Sequence, residues 1–432
     1  KKLIEENKKI QNEIDELKDL IKKLSKESAN FGNLKGMVHY SNLCLKTKKN
    51  KTGEIKCDYK EAFKFIKIAS KNGDAEAMSI YGNFLLSGIG CLKKDLFKAV
   101  KYFKRSYEKG NLNGYARYGF SLIEGEGGLQ KNVKEGLRLI KHSFDNNDPI
   151  GVTLYAYCLY LGLPNLEKNL KLSFEYNMNA SSMGYYSAIS NTGACYHYGD
   201  GTDVDIKEAI KYYMRAIEEG SFTTARNLGL LLIKGYDEYE IKADYKEGMK
   251  YLKFASENGD TDAMHYYSVN VANNKSTVKE IELMEYYLKK GVYLKVDDLI
   301  LIYAQLLYKG NVLPQDKVKA ARYFKMCADL GNIYGMRMYG NCLYDGIGVE
   351  KNLDETLTYF KMAADYGSVQ AMVIYASLLS KGEQGSFDQD EVIKYYKMAI
   401  EKEEKNESNN VDLTEAKKYI EMLNQKENEN VI

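Results

Sequence analysis

The decapeptide YGNFLLSGIG at 81–90 returns as YGNCLYDGIG at 339–348. The two copies lie 258 residues apart, which divides into seven steps of about 37 residues. A period of this size restricts a chain to architectures that stack similar small units, because one unit cannot bury its apolar face alone. With Gly73 as position zero, Tyr81 is +8, Gly82 is +9 and Gly88 is +15. Counting from Gly32, Gly110, Asn147, Gly184, Gly220, Gly259, Lys295, Gly331 and Gly367 repeats that layout, and +9 is Gly, Ala or Ser in all ten copies.

The second half of each unit repeats as well. It reads AVKYF at 99–103, AIKYY at 209–213, GMKYL at 248–252, AARYF at 320–324 and TLTYF at 356–360. A small residue stands four positions after the first ring: Ala69, Ser106, Ala216, Ala255, Ala363 and Ala399. These spacings mark helical faces, so each unit is a helix, a Gly-containing loop and a second helix. Glycine inside a helix costs roughly 0.5–1 kcal/mol relative to Ala, so its place at +9 predicts close contact between helices. The 38 Tyr, against no Trp and 3 Pro, are predicted to fill the space between neighbouring hairpins with buried rings and reachable hydroxyls. Gly88, Gly125, Gly199, Gly235, Gly310, Gly346 and Gly382 are placed as left-handed caps ending the first helices. Asp95, Asp205 and Asp244 are placed at the starts of second helices. Each hairpin is expected to touch only its neighbours.

The pattern A-M-x-x-Y-G-x-x-L-x-x-G-x-G, then K-x-x-x-K-A-x-x-Y-F-x-x-A, resembles the Sel-one-like repeat (SLR) family, relatives of the tetratricopeptide repeats. Ala77 to Ser106 and Met336 to Ala363 carry it most closely. Plain tetratricopeptide repeats keep a strict 34-residue period and a proline after the second helix, which this chain lacks. The resemblance implies an all-α fold, a right-handed superhelical solenoid of about ten helix-turn-helix repeats over 32–404. Units near 147–183 and 259–294 depart most from the pattern.

The ends differ from the array. In residues 1–28, Asn7, Ile14 and Ile21 fall at heptad a, with Leu3, Ile10, Leu17 and Leu24 at d. Ile at a, Leu at d and one Asn at a favour a parallel dimer. Glu13 and Lys18 fall at g and the following e. The seam Asn7, Ile10, Ile14, Leu17, Ile21 and Leu24 thus predicts a coiled-coil-like helix that joins two copies. The alternative is an amphipathic helix folded back on the first repeat. Residues 405–432 read as a polar spacer and a capping helix. The run EKEEKNESNN is the spacer, Asp412 with Glu415 is a capping-box variant, and Leu413, Ala416, Ile420 and Leu423 share one face.

Chemistry is mostly missing. The 62 basic and 60 acidic side chains leave a net charge of +2, which offers no bulk attraction to nucleic acid or an acidic membrane. No phosphate-binding glycine loop, dinucleotide fingerprint, zincin motif or nucleophile elbow occurs. Asp200, Asp203, Asp205 and Glu208 suggest calcium, but their spacing is wrong for an EF-hand. The histidines His39, His142, His197 and His265 sit in different units, and His197 with Cys195 makes no convincing dyad. The seven cysteines have no recurring spacing and read as free, buried thiols of a reducing compartment. Sequons begin at Asn50, Asn179, Asn274 and Asn406. No apolar run has membrane length, and no leader is read. No cofactor or metal is expected, and the compartment is read as cytoplasmic.

By analogy with tetratricopeptide repeats, first helices line a concave face near +3, +6, +10 and +13. The +10 row runs Asn42, Asn83, Phe120, Tyr157, Ala194, Leu230, Val269, Gln305, Asn341 and Ser377. Tyr160, His197, Arg226, His265 and Arg337 stand at +6 or +13. Amides and arginines suit a peptide backbone or carboxylate, and aromatics suit its side chains. The candidate peptide-binding groove is therefore Asn83, Phe120, Tyr157, Tyr160, Arg226, Arg337 and Asn341. SLR proteins are assembly platforms, so the resemblance implies a non-enzymatic scaffold or adaptor for protein segments. Two alternatives remain at this stage: the regulatory region of a larger signalling protein, such as a kinase with its catalytic domain upstream, and a lumenal adaptor of ER-associated degradation.

Overall fold

The computed structural model describes residues 2–49, 55–88, 94–382, 388–405 and 411–429. Cys91, the sequons at 50–52 and 406–408, and the side chain of Asn7 lie outside the described residues. Among these residues the chain is all-α apart from one short ladder, and its twenty-two helices pack as consecutive pairs, a solenoid of helix-turn-helix repeats. Helix α1 spans Lys2–Asn30. The first helices of the ten repeats are α2 Leu34–Leu45, α4 Ala75–Ser87, α6 Leu112–Glu124, α8 Pro149–Leu161, α10 Tyr186–Tyr198, α12 Phe222–Lys234, α14 Thr261–Asn273, α16 Asp297–Lys309, α18 Ile333–Asp345 and α20 Val369–Ser380. The second helices are α3 Tyr59–Lys71, α5 Leu96–Glu108, α7 Val133–Asp145, α9 Leu170–Ser182, α11 Ile206–Glu218, α13 Tyr245–Glu257, α15 Val278–Leu294, α17 Lys317–Asp329, α19 Leu353–Asp365 and α21 Gln389–Lys405. Helix α22, Thr414–Glu429, follows. The chain forms two compact units, Lys1–Tyr267 and Ser268–Ile432.

The repeat is punctuated by backbone handedness. All ten position-zero residues have positive φ, from 55° at Asn147 to 100° at Gly220, and Lys295 adopts 59° without being glycine. The next residue caps the following helix. Asn33, Asp74, Asn111, Asp148, Asn332 and Ser368 each accept a backbone N–H from the first turn. In these repeats one left-handed residue and one capping side chain therefore turn the second helix into the next first helix. Asp95, Asp205 and Asp244 cap α5, α11 and α13 in the same way.

The +9 glycines lie where their own second helix comes closest. A Cβ built on Gly82 would stand 2.6 Å from the Phe103 ring, and one on Gly193 2.7 Å from the Tyr213 ring. One on Gly229 would meet Leu252 at 3.1 Å, and one on Gly340 would meet Phe360 at 3.3 Å. Phe103, Tyr213 and Phe360 are the second rings of the aromatic pair in the same repeat, and Leu252 stands at the same position.

Tyrosine fills the space between neighbouring hairpins, as expected, and also the space within a hairpin. Across hairpins, Phe63 lies 5.7 Å from Tyr81, Tyr107 stacks on Tyr118 at 5.5 Å and Phe144 lies 4.6 Å from Tyr155, and other +8 contacts are with the first ring of the pair in the same hairpin. Tyr81–Tyr102, Tyr339–Tyr359 and Tyr375–Tyr395 are edge-on at 4.8, 4.8 and 4.9 Å. Tyr303–Tyr323 is stacked at 5.1 Å. The hydroxyls reach the preceding repeat: Tyr303 donates to Glu285 at 2.9 Å and Tyr395 to Asp365 at 2.6 Å.

Two predicted caps differ. Gly235 has positive φ but extended ψ of 169°, because the chain leaves α12 for a bridge between Tyr236 and Ile241. Gly382 lies one residue beyond the cap of α20, which is Lys381.

The first unit departs from nearest-neighbour stacking. Between α2 and α3, strands β1 Lys48–Lys49 and β2 Ile55–Lys56 pair antiparallel. Their segment crosses to the fifth and sixth repeats. The Thr47 backbone N–H donates to Glu218 at 3.1 Å, and Lys46 pairs with Glu219 at 2.8 Å. Ile55 and Tyr59 are buried in one cluster with Phe222, Tyr251 and Phe254. The Tyr59 and Phe222 rings lie 4.6 Å apart. Short polar residues and lysines around 46–56 gave no strand periodicity, so this clip was not legible.

In the second unit, α19 to α22 share one core in which Phe360, Tyr395, Tyr396, Leu413 and Ala416 are buried. Helix α21 continues through Lys405, so residues 401–405 are helix and not spacer. Asp412 accepts the Thr414 N–H at 2.9 Å, but Glu415 does not complete a capping box. It accepts the Ser377 hydroxyl at 2.9 Å and so ties α22 to α20.

Candidate functional site

The groove residues fall into separate groups. Phe120 on α6 meets Tyr157 on α8 edge-on at 5.7 Å, and Tyr157 stacks with Tyr160 at 6.2 Å and 12°. The Lys168 ammonium lies 5.6 Å over the Tyr160 ring. Tyr157 is 38% exposed and Tyr160 is 37%. Three rings from adjacent first helices thus form one half-exposed ladder with a cation at its end, a surface that can take apolar or aromatic side chains.

Asn83 and Arg226 belong to a second group, a cavity of about 380 Å³ inside the first unit. Asn83 is held from both sides. Its amide donates to the Tyr186 hydroxyl at 3.2 Å, and its oxygen accepts from Arg117 at 3.0 Å. Arg117 also donates to the Tyr185 hydroxyl at 3.1 Å. Arg226 donates to Asp260 at 3.1 Å and contacts Asp262. Arg117, Tyr185 and Asp260 are absent from the +10 row. The departure of Tyr185 from the capping pattern is the one signal that would have pointed there.

Arg337 and Asn341 belong to the second unit. The Arg337 guanidinium lies 4.8 Å over the Tyr334 ring, and the Asn341 amide points at the Met338 sulfur at 4.0 Å. Both are turned towards neighbours on α18.

On α1, Ile10, Ile14, Leu17, Leu20, Ile21 and Leu24 are all exposed, from 39% to 58%. The end of the helix is anchored: Ser25 and Ala29 are buried, and Lys26 pairs with Glu61 at 3.4 Å. Lys18 pairs with Asp15 in its own helix at 3.4 Å.

The residues with chemical potential are placed structurally. His197 is clamped between hydroxyls, Nδ1 at 3.2 Å from Tyr213 and Nε2 at 2.7 Å from Tyr236. Burial, aided by the Lys234 charge, holds its pKa below the ordinary value. Burial pushes the Cys158 and Cys327 thiols up to about 12, and Cys195 and Cys342 up to about 11. Such thiols are poor nucleophiles. Asp205, of the acidic loop, is committed to capping α11. Among the described residues no cluster of three His, Cys, Asp or Glu could hold a metal, and no helix is long and apolar enough to cross a membrane.

Comparison with known proteins follows the repeat. The Sel1 repeat profile matches residues 51–74, 75–111, 150–176, 187–221, 224–260, 301–332 and 333–368. No curated protein matches the chain significantly. Among solved structures, c5321, a protective antigen of uropathogenic Escherichia coli with an SLR fold, is 17% identical over 93% of this chain and 85% of that one, with a TM-score of 0.50. A Sel1 repeat protein from Oxalobacter formigenes is 17% identical over 81% of this chain and 87% of that one, with a TM-score of 0.38. The first likeness is one of fold alone. The profile matches more than half of the chain, at the hairpins whose caps and glycine contacts are described above, and the chain belongs to the Sel1 repeat family.

Proposed function

We propose that the chain is a non-enzymatic scaffold that captures a protein segment on its first-helix face and presents it in two copies. Sel1 repeat proteins typically mediate protein–protein interactions. The observation that carries the reading here is the half-exposed ladder of Phe120, Tyr157 and Tyr160. Buried aromatic anchors with a polar rim dominate protein interfaces. These rings stand on rigid helices, so little ordering would be lost on binding.

The second copy would join through α1. Its apolar stripe has the a/d register of a parallel dimer, and Glu13 and Lys18 fall where they attract across such a pair. An isolated coil of about four heptads is marginal, but anchoring of Ser25 and Ala29 on the first repeat stiffens one end.

The test begins with crosslinked capture from the source cell to identify a partner segment. Isothermal titration of that segment then compares wild type with Phe120→Ala/Tyr157→Ala. The double variant should weaken binding by more than ~2 kcal/mol while circular dichroism stays unchanged. Exchange of Lys101 and Lys211 on second helices should have no effect. Unchanged affinity in the aromatic variant, with loss on removing residues 1–28, would move the binding site to α1.

A further inference from the structure

The cavity of the first unit is made of charges that do not cancel locally. Its wall carries three cations, Lys94, Arg117 and Arg226, and three carboxylates, Glu219, Asp260 and Asp262. Glu219 is already used by Lys46. Arg226 serves both aspartates at the other side.

Arg117 is held by the neutral oxygens of Asn83 and Tyr185 and lies 5.8 Å over the Phe103 ring, and among the described residues no carboxylate pairs with it. Among the described residues Lys94 has no anionic partner either. At the opposite wall, the Asp260 side chain is only 5% exposed. Its Oδ1 accepts from Arg226 and from the Ala263 N–H at 2.8 Å. Its Oδ2 is buried and accepts from nothing. Burial raises the pKa of this carboxyl in spite of the arginine beside it, as befits a charge that is incompletely compensated.

The helix ends add to the contrast. Helices α10 and α12 begin in this wall, and neither Tyr185 nor Ser221 caps them with a side chain. Ser221 is turned to Thr224 instead, at 2.6 Å. A helix N-terminus without a side-chain cap favours an anion. Helix α14, in contrast, has its own carboxylate, Asp260.

We propose that this cavity binds a zwitterionic group, with its carboxylate on Arg117 and Lys94 and its ammonium on Asp260. Its volume is that of a small-ligand pocket. The zwitterion is either a free short peptide or the oppositely charged side chains of a longer segment. The second case deepens the scaffold reading, since Asn83 and Arg226 of the first-helix face stand in this wall.

The test is isothermal titration of the full chain with glycine, diglycine and triglycine, which carry the same two charges at growing separation. A doubly blocked peptide, N-acetyl-Lys-Gly-Glu-amide, tests the side-chain source. At least one of the four should bind. If a glycine peptide binds, N-acetylating it or amidating it should each weaken it by roughly tenfold or more. Asp260→Asn keeps the oxygen that caps α14 and should cost a similar factor. Arg117→Gln should do the same, and Lys94→Gln, at an exposed side chain, should weaken binding several-fold. Binding by the blocked peptide alone assigns the site to a longer segment. No binding by any of the four, or equal binding by wild type and all three variants, overturns the proposal. Phe120→Ala/Tyr157→Ala should leave these affinities unchanged, so failure of the ladder and failure of the cavity are read separately.

Discussion

The Thr47 hydroxyl donates to the Ile217 carbonyl at 2.9 Å across 170 residues of sequence. In an array whose repeats touch only their neighbours, no such bond exists. Here the first repeat is tied to the fifth by that bond, by its backbone companion to Glu218 and by the Lys46–Glu219 pair. Opening any one of the first five repeats must therefore strain or release a contact far along the chain.

Cooperativity in the first unit is the measurable result. Thr47→Val with Lys46→Ala should lower hydrogen-exchange protection in both α2 and α11, which lie four repeats apart. A loss confined to residues 34–49 would show that the clip carries no coupling.

Two glycines at the same repeat position should respond with different sign. At Gly82 a methyl group would meet the Phe103 ring at 2.6 Å and the Ala99 carbonyl at 3.1 Å. At Gly340 its nearest neighbour would be the Phe360 ring, at 3.3 Å. Ala also gains about 0.5–1 kcal/mol over Gly in a helix. Gly82→Ala should destabilise by about 1–3 kcal/mol, whereas Gly340→Ala should be neutral or mildly stabilising. Urea unfolding of both variants decides this, and equal losses would contradict the geometry.

Stability should fall in mild acid through His197. Its folded pKa is depressed, so the unfolded chain takes up a proton that the folded ring refuses. The stabilisation is complete above the free value of about 6.5 and is lost as pH falls through the folded value. Urea midpoints at about pH 7.5 and 5.5 should converge in His197→Gln relative to wild type. The same drop in both proteins would assign the acid sensitivity to other groups.

The α1 stripe makes a mass prediction. The full chain should show dimer mass in light scattering at micromolar concentration, and a chain beginning at Asn30 should be monomeric and still helical. Ile14→Lys with Leu17→Lys should have the effect of the truncation. Equal masses for all three would leave α1 as a cap on the first repeat.

Much of the fold is legible in the residues because each unit states it locally. The +9 glycines, the aromatic pair and Asp at second-helix starts act over one or two turns, and ten copies average out the exceptions. The clip could not be read, since contacts across 170 residues leave no period. The Tyr contacts between hairpins were legible, but those within a hairpin, such as Tyr81–Tyr102, were not, because a ring at +8 can face either side. Of the proposed groove, spacing brought Phe120, Tyr157 and Tyr160 together, all on first helices of adjacent repeats. It missed Arg117 and Asp260, whose juxtaposition depends on how six repeats curl within the unit.

The tyrosine rungs also have an optical consequence. With 38 Tyr and no Trp, all intrinsic emission comes from phenols, and pairs such as Tyr81–Tyr102 and Tyr375–Tyr395 lie about 5 Å apart. Excitation passes readily between rings that close, so the emission belongs to a network and not to one residue. A single indole placed at Tyr157 would drain that network at the ladder itself. Its colour and polarisation would then report what covers those rings, against a protein background that is dark at the red edge of absorption.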